Sequence, residues 1–312
     1  VCRQCAKPVL NAGNYTGESM EFVNFARSHG LDLEAVYPSE KIRRCGTLEK
    51  PRSTNGAYFW NGERGWVWDW SGEARTHWFH DPNAKPWTDE EKRLWASKRA
   101  SQASNQSKEY DRVAKKAQSV IDSAKLGPHN YPTFKGFPDE RMLVLSEKSD
   151  SKAIIPMRNV KTNTLQGYQE IYWDGKERKW NKKMLYGMRA KNAVFWLGQP
   201  AQENWLVEGY ATGLSVRKAL RSVGLDSGVC VCFSAVNMVS VADQIGGRRY
   251  VFADNDESGT GAKSAQSTGL PWTMADEVGQ DANDLHQKAG LFAVVAKIME
   301  ARQKRHGVAF GT

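Results

Sequence analysis

No run of about 18 apolar residues occurs in the sequence, so no membrane-spanning helix is expected. No charged-then-apolar leader opens it, so no secretory signal is expected either. Cysteine is scarce. There are five in 312 residues, an odd number that argues against a disulfide framework. Cys230 and Cys232 flank Val231 in an apolar run and read as core strand residues. Cys2 and Cys5 have the spacing of half a Zn²⁺ site, but a second CxxC is lacking. Cys45, His77 and His80 are the other candidate ligands. A zinc-knuckle remnant and plain reduced thiols stand as alternatives to zinc binding. The sequence also lacks internal repeats, long low-complexity tracts and a GxxxxGK[ST] phosphate loop. Gly259-Thr-Gly-Ala-Lys-Ser264 has the wrong spacing for that loop, so no fused helicase motor is expected.

What is present is positive charge. Lys and Arg number 44 against 35 Asp and Glu, a formal net charge of +9. Polyanions, chiefly nucleic acid, are the partners such a balance favours, because phosphate contacts release counterions. A membrane surface is disfavoured, since no basic amphipathic helix with a strong apolar face stands out. A solvated basic surface is the plain alternative.

The length predicts two or three compact units. Residues 1–86 read as a small β-rich module with one short helix near Met20–Arg27. Seven of the twelve tryptophans fall before residue 96. Trp66, Trp68 and Trp70 alternate, which places three indoles on one face of a strand. They supply either bulk for a small core or a stacking platform for unpaired bases. Arg43, Arg44, Arg52, Arg64 and Arg75 lie among these aromatics and favour the second reading. Residues 87–127 read as a helical linker. Its Lys98–Lys108 stretch suits an exposed helix or a flexible joint, and Gly127-Pro128 ends it. Residues 128–200 are β-rich, with strands over 141–145, 153–157, 169–173 and 193–197 and a hairpin signal at Asp174-Gly175. Residues 201–286 alternate strand and helix, which implies a parallel α/β sheet flanked by helices. Helices are expected over 212–223, over 239–245 and from about 263. Residues 287–312 form a terminal helix and basic tail.

In a parallel α/β sheet, sites form beyond the carboxyl ends of the strands. Strand 205–207 runs into Glu208-Gly209, and Gly209 allows a sharp turn. Strand 250–253 runs into Asp254-Asn-Asp256, whose two acids point the same way if the backbone is extended. Three carboxylates from neighbouring strand ends repel one another unless cations fill the cluster. Hard oxygen ligands suit Mg²⁺ or Mn²⁺, and two such ions serve phosphoryl transfer.

These residues also carry a resemblance. Val207-Glu-Gly-Tyr-Ala-Thr-Gly-Leu-Ser215 resembles the first toprim motif, and Phe252-Ala-Asp-Asn-Asp-Glu-Ser-Gly259 the second. Gly279-Gln-Asp-Ala-Asn-Asp-Leu285 resembles the acidic segment that follows in DNA primases of the bacterial DnaG class, phage and plasmid members above all. Upstream, His129-Asn-Tyr-Pro-Thr-Phe-Lys-Gly136, Ile155–Val160 and Gln169–Lys176 resemble their primase-domain segments. The resemblance spans roughly residues 125–290. Residues 20–80 resemble the template-binding module of such primases without a complete set of zinc cysteines.

The resemblance implies an α/β toprim domain preceded by an α+β primase subdomain. It implies synthesis of short RNA primers on single-stranded DNA from NTPs, in phage or plasmid replication in the cytoplasm of a bacterial host. A separate replicative helicase would be a partner. Glu208 would be a metal ligand or proton acceptor, Asp254 and Asp256 metal ligands, and Asp281 or Asp284 secondary. Lys135, Arg158, Lys176, Lys182 and Lys183 would bind template or triphosphate. Two positions depart from the pattern. Thr212 stands where many toprim proteins have an acid, and Asn283 sits between the two later acids. A toprim nuclease or topoisomerase-like enzyme, and a non-catalytic single-strand-binding replication protein, are the competing readings.

Overall fold

The computed structural model describes residues 17–70, 75–80, 88–147 and 150–304. Cys2 and Cys5 lie outside the described residues. The chain divides into two compact units, the first ending at Ser97 and the second beginning at Lys98.

The first unit opens with α1 (Gly17–Ser28) and continues through β1 (Leu31–Asp32), β2 (Ser39–Thr47), β3 (Gly56–Trp60), β4 (Arg64–Asp69) and β5 (His77–His80). The strands form an antiparallel sheet in sequence order. Helix α1 packs on one face, where Phe22 stacks on Trp60 with centroids 4.7 Å apart. Tyr58, Trp60 and Val67 are buried with Phe22 and Val23 in that core. Alternation then turns Trp66 and Trp68 to the face away from Val67. Trp66 pairs across the strands with Phe59 on one side and Trp78 on the other.

Helix α2 (Asp89–Ser123) is continuous across the unit boundary. Lys98–Lys108 is helical and exposed, as the exposed-helix alternative expects. The segment has no Gly or Pro, and pairs such as Arg112–Glu109 at i,i+3 support it locally. One expectation fails here. Gly127-Pro128 does not end the helix, which stops at Ser123. Those two residues lie instead in β6 (Lys125–Pro128), an edge strand paired with β7 (Arg141–Glu147), where Pro128 is tolerated.

Between them lies the short helix α3 (Asn130–Phe134). After β7 come β8 (Asp150–Asn159), β9 (Leu165–Asp174), β10 (Lys179–Met184) and β11 (Ala193–Leu197). Then follow β12 (Glu203–Val207), α4 (Tyr210–Ser222), β13 (Gly228–Val231), α5 (Ala235–Ala242), β14 (Arg248–Ala253), α6 (Thr260–Ser267), β15 (Trp272–Met274), α7 (Ala282–Ala289) and α8 (Leu291–Lys304). Their strands form one mixed sheet. Its path runs β10-β9-β8-β11-β13-β12-β14-β15, with β7 and β6 branching from β8. Strands β13, β12, β14 and β15 are parallel. Strand β11 joins them antiparallel to β13 and ties them to the upstream strands.

Strands β12 and β13 are buried along their whole length, as strands covered on both faces must be. Trp205, Val207, Tyr250 and Phe252 face the core shared with α4 and α8. Leu206, Val251, Ala253, Cys230 and Cys232 face α5 and α6. Each fully buried large apolar side chain contributes about 1.5–3 kcal/mol. Helix α5 begins earlier than the apolar pattern predicts, because Ser234 caps it by accepting from the Asn237 amide at 3.2 Å. No described helix is long and apolar enough to cross a membrane.

Candidate active site

Strands β12 and β14 are adjacent and parallel, with Val207 opposite Phe252. Their next residues, Glu208 and Asp254, therefore leave the sheet at the same edge. The Glu208 carbonyl accepts from the Phe233 amide at 2.9 Å. Phe233 has φ 64°, a left-handed conformation costly for an aromatic residue and of a kind that clusters at functional sites. Gly209 has φ −100° and ψ 154°, an extended conformation open to any residue, so no sharp glycine turn occurs there. What is tight is the space. A Cβ on Gly209 would stand 3.1 Å from Thr212 Oγ1.

Asp254 is drawn to Asp281 by backbone pairing. Asn255 and Gln280 form an antiparallel bridge, with Asn255 N–H donating to the Gln280 carbonyl at 3.0 Å. Asp254 and Asp281 flank that bridge. Asp254 Oδ1 is buried and has no hydrogen-bond partner. Burial, then the charges of Asp281 and Glu208, push the Asp254 carboxyl up to about 8, with Asp256 adding to the push and Lys182 opposing it. Glu208 is raised for the same reasons, burial first and Asp256 second, again opposed by Lys182.

Asp256 differs. Partial burial pushes it up, but hydrogen bonds outweigh that and hold it below the usual carboxylate range. Oδ1 accepts from Ser258 Oγ at 2.5 Å and Thr260 N at 3.0 Å, and Oδ2 accepts from Gly261 N at 2.7 Å. The Gly259–Ser264 loop thus orients Asp256. Gly261 is required there, since a Cβ would collide with the Asp254 carbonyl. Asp254 and Asp256 therefore do not share one environment, although two residues of extended backbone predict that they should.

The later acids have structural partners. Asp281 caps α7, Oδ1 accepting from Asn283 N at 2.7 Å and Asp284 N at 2.9 Å. Its Oδ2 accepts from Thr212 Oγ1 at 3.0 Å, which ties α4 to the start of α7. Asp284 completes the capping box and lies 3.7 Å from Lys135 Nζ. Asn283 is fully buried, its amide donating to Lys135 O at 2.9 Å and Ser215 Oγ at 3.1 Å.

The basic candidates separate. Lys182 acts electrostatically on both Glu208 and Asp254 and sits over the Tyr131 ring, 5.7 Å from its centroid. Lys183, one residue on, lies by Tyr172 with its Nζ 5.4 Å from that ring. Lys176 is exposed in the β9–β10 turn, whose backbone amides at Lys176 and Glu177 are held by Asp174 Oδ1. Arg158 donates to Asn163 O at 3.1 Å and closes the β8–β9 turn. In the first unit, Trp66 and Trp68 are half-buried, while Trp70 is exposed with the Arg44 guanidinium 3.8 Å over its ring. Cys45 is half-buried in that unit. Burial first, then Asp32, pushes its thiol up to about 11.

Sequence reasoning missed Tyr131, Glu140 and Arg217. Arg217 of α4 donates to Glu140 Oε2 at 2.5 Å and Tyr210 OH to Glu140 Oε1 at 3.3 Å, locking the start of α4 to the upstream segment. No periodic signal joins residues 70 or more positions apart. Tyr131 does lie within a segment already singled out, His129–Gly136.

The site offers carboxylate oxygens only, one of them buried and unpaired, and the acids repel one another without a counter-ion. Oxygen donors of this kind are the ones a hard divalent cation takes. Among the described residues, however, no three His, Cys, Asp or Glu side chains form a ready metal cage. Glu208 and Asp254 are the acids whose charged forms lack support, Asp254 with an unpaired oxygen, and Asp256 is oriented by its own loop.

The chain is therefore a mixed α/β protein with an acidic centre at the carboxyl edge of its parallel strands. No family model matches it, and no curated protein does. Among solved structures, one described as the DnaG catalytic core is similar, with 15% identity and a TM-score of 0.35. The likeness covers 62% of this chain and 62% of that one.

Proposed function

We propose that the protein is a DNA primase, a nucleotidyltransferase that makes short RNA primers on single-stranded DNA in phage or plasmid replication. The observation that carries this reading is the pair Glu208 and Asp254. They leave adjacent parallel strands, and Asp254 has a buried, unpaired oxygen in the field of Glu208, Asp256 and Asp281. The toprim-like motifs around both residues and the basic upstream strands agree with it.

Glu208, Asp254 and Asp256 would hold Mg²⁺ or Mn²⁺. Such an ion supplies Lewis-acid activation of the attacking hydroxyl and charge stabilisation at the leaving oxygen. The 3′-hydroxyl of one nucleotide attacks the α-phosphate of the next. A P–O bond forms, the bond to pyrophosphate breaks, and the hydroxyl proton passes to solvent. Lys182 neutralises phosphate charge across from the acids. The indoles of Trp66, Trp68 and Trp70, with Arg44, supply the stacking and charge that unpaired template bases take.

Purified protein with single-stranded template, NTPs and Mg²⁺ is expected to yield short RNA. The Asp254→Ala/Asp256→Ala variant is expected to lose that product by at least about 100-fold while still binding template. Undiminished synthesis by the double variant sinks the site assignment. Template cutting without incorporation favours a nuclease.

A further inference from the structure

Tyr131 is fully buried, yet its hydroxyl has no hydrogen-bond partner among the described residues. A buried hydroxyl left unpaired is a standing cost to the fold, and an orphan of this kind calls for a missing partner. Its surroundings say what that partner is. Helix α3, which carries it, is pinned to α7 by two contacts. Asn283 Nδ2 donates to Lys135 O at 2.9 Å, and Gln287 Nε2 donates to Phe134 O at 3.3 Å. Those contacts bring Tyr131 beside the loop that holds Asp281. Lys182 lies over its ring, and Lys135 reaches the same region through Asp284. Burial holds the hydroxyl above the usual phenol range, and the charges of Lys135, Asp281 and Asp284 act on it as lesser causes. A second buried donor without a partner, Trp180 Nε1, belongs to a ring packed edge-on against Tyr131 at 5.4 Å.

Two lysines and an orphaned O–H donor beside an acidic metal-type centre are the chemistry of a phosphate cradle. A carboxylate-rich ligand would be repelled by Glu208, Asp254 and Asp281. A metal-bridged polyphosphate would not.

We propose that Tyr131 is a phosphate-binding residue of this site. Its hydroxyl donates to a triphosphate oxygen that Lys182 and Lys135 also contact. The inference rests on the reading of the acidic centre as a nucleotidyl-transfer site, and its test separates the two.

The probe is inorganic tripolyphosphate with Mg²⁺, titrated into the full chain and followed by calorimetry and by tryptophan emission, for which Trp180 lies beside the site. Tyr131→Phe is expected to weaken binding about tenfold, the effect of one hydrogen bond to a charged acceptor. Its melting temperature without ligand should be unchanged or higher, because the orphaned hydroxyl is gone. A hydroxyl with a purely structural role gives the opposite pattern: a lower melting temperature with unchanged affinity. Lys182→Ala is expected to weaken the same titration.

Wild-type affinity in Tyr131→Phe overturns the inference, as does absence of tripolyphosphate binding by the wild type. If the protein makes no RNA but binds tripolyphosphate in a Tyr131-dependent way, the polymerase reading fails and the phosphate site stands. If it makes RNA and Tyr131→Phe has an unchanged KM for NTPs, the reverse holds.

Discussion

Asp254 and Asp256 are two residues apart and have opposite fates. Loop amides satisfy Asp256 and favour its charged form. Asp254 bears burial and three like charges with one oxygen unpaired. Replacing Asp254 by Asn removes the repulsion and keeps the shape. The metal-free variant is expected to melt no lower than wild type. A drop of several degrees in differential scanning calorimetry would show that the carboxylate stabilises the fold. His129 carries a pH effect. Its Nδ1 accepts from the Tyr131 amide at 3.1 Å, and its Nε2 faces Ser151 O at 3.3 Å, so the ring is held neutral. Burial lowers its pKa, partly offset by the Ser151 bond. The unfolded imidazole protonates near about 6.5, whereas the folded one resists protonation to lower pH. The contribution is therefore complete above the unfolded value and is lost as pH falls through the lowered folded value. Urea unfolding at pH 7.5 and 5.5 should show a steeper loss for wild type than for His129→Gln. Equal losses would remove His129 from the account.

At the scale of elements, the strands and helices of the parallel region were the easiest to read. Buried strands such as Trp205-Leu-Val207 and Tyr250–Ala253 are continuous apolar runs, and α4 and α8 have periodic apolar faces. Strands β2, β5, β6 and β10 were not read, because β2 and β10 are mostly polar and β5 and β6 are only four residues long. Strand β10, Lys179–Met184, carries three lysines and is a strand only through its pairing with β9. Its pairing is also what delivers Lys182 to the acids, so the basic half of the site could not be picked out from Lys183 or Lys176 by sequence. Asp281 was read as a ligand candidate on its motif. Its role as the cap of α7 and as acceptor for Thr212 depends on contacts 69 residues apart. Helix α2 is the opposite case, an element held up mainly by local propensity around Lys98–Lys108. Ser104→Pro there removes a backbone hydrogen bond and adds a ring clash, at a cost of about 3 kcal/mol to the helix. The expected result is reduced ellipticity at 222 nm and new tryptic cleavage within Lys98–Lys108. Unchanged spectra and proteolysis would show that the helix is held by something other than its own backbone.

At the scale of the molecule, one sheet carries both halves of the candidate site. Strands β12 and β14 project the acids, and β10, at the far end of the same sheet, returns Lys182 toward them. The net charge of +9 belongs to the whole chain, whereas Asp254 stands in the field of Glu208, Asp256 and Asp281, which Lys182 opposes. The central claim is that Glu208, Asp254 and Asp256 form one divalent-cation site. Mn²⁺ binding to the whole chain, followed by electron paramagnetic resonance of the free ion, tests it most directly. The wild type is expected to take up Mn²⁺ with saturation, and Asp254→Ala/Asp256→Ala to lose that uptake by at least about tenfold in affinity, or 1.4 kcal/mol. Identical uptake by the two proteins would contradict the claim.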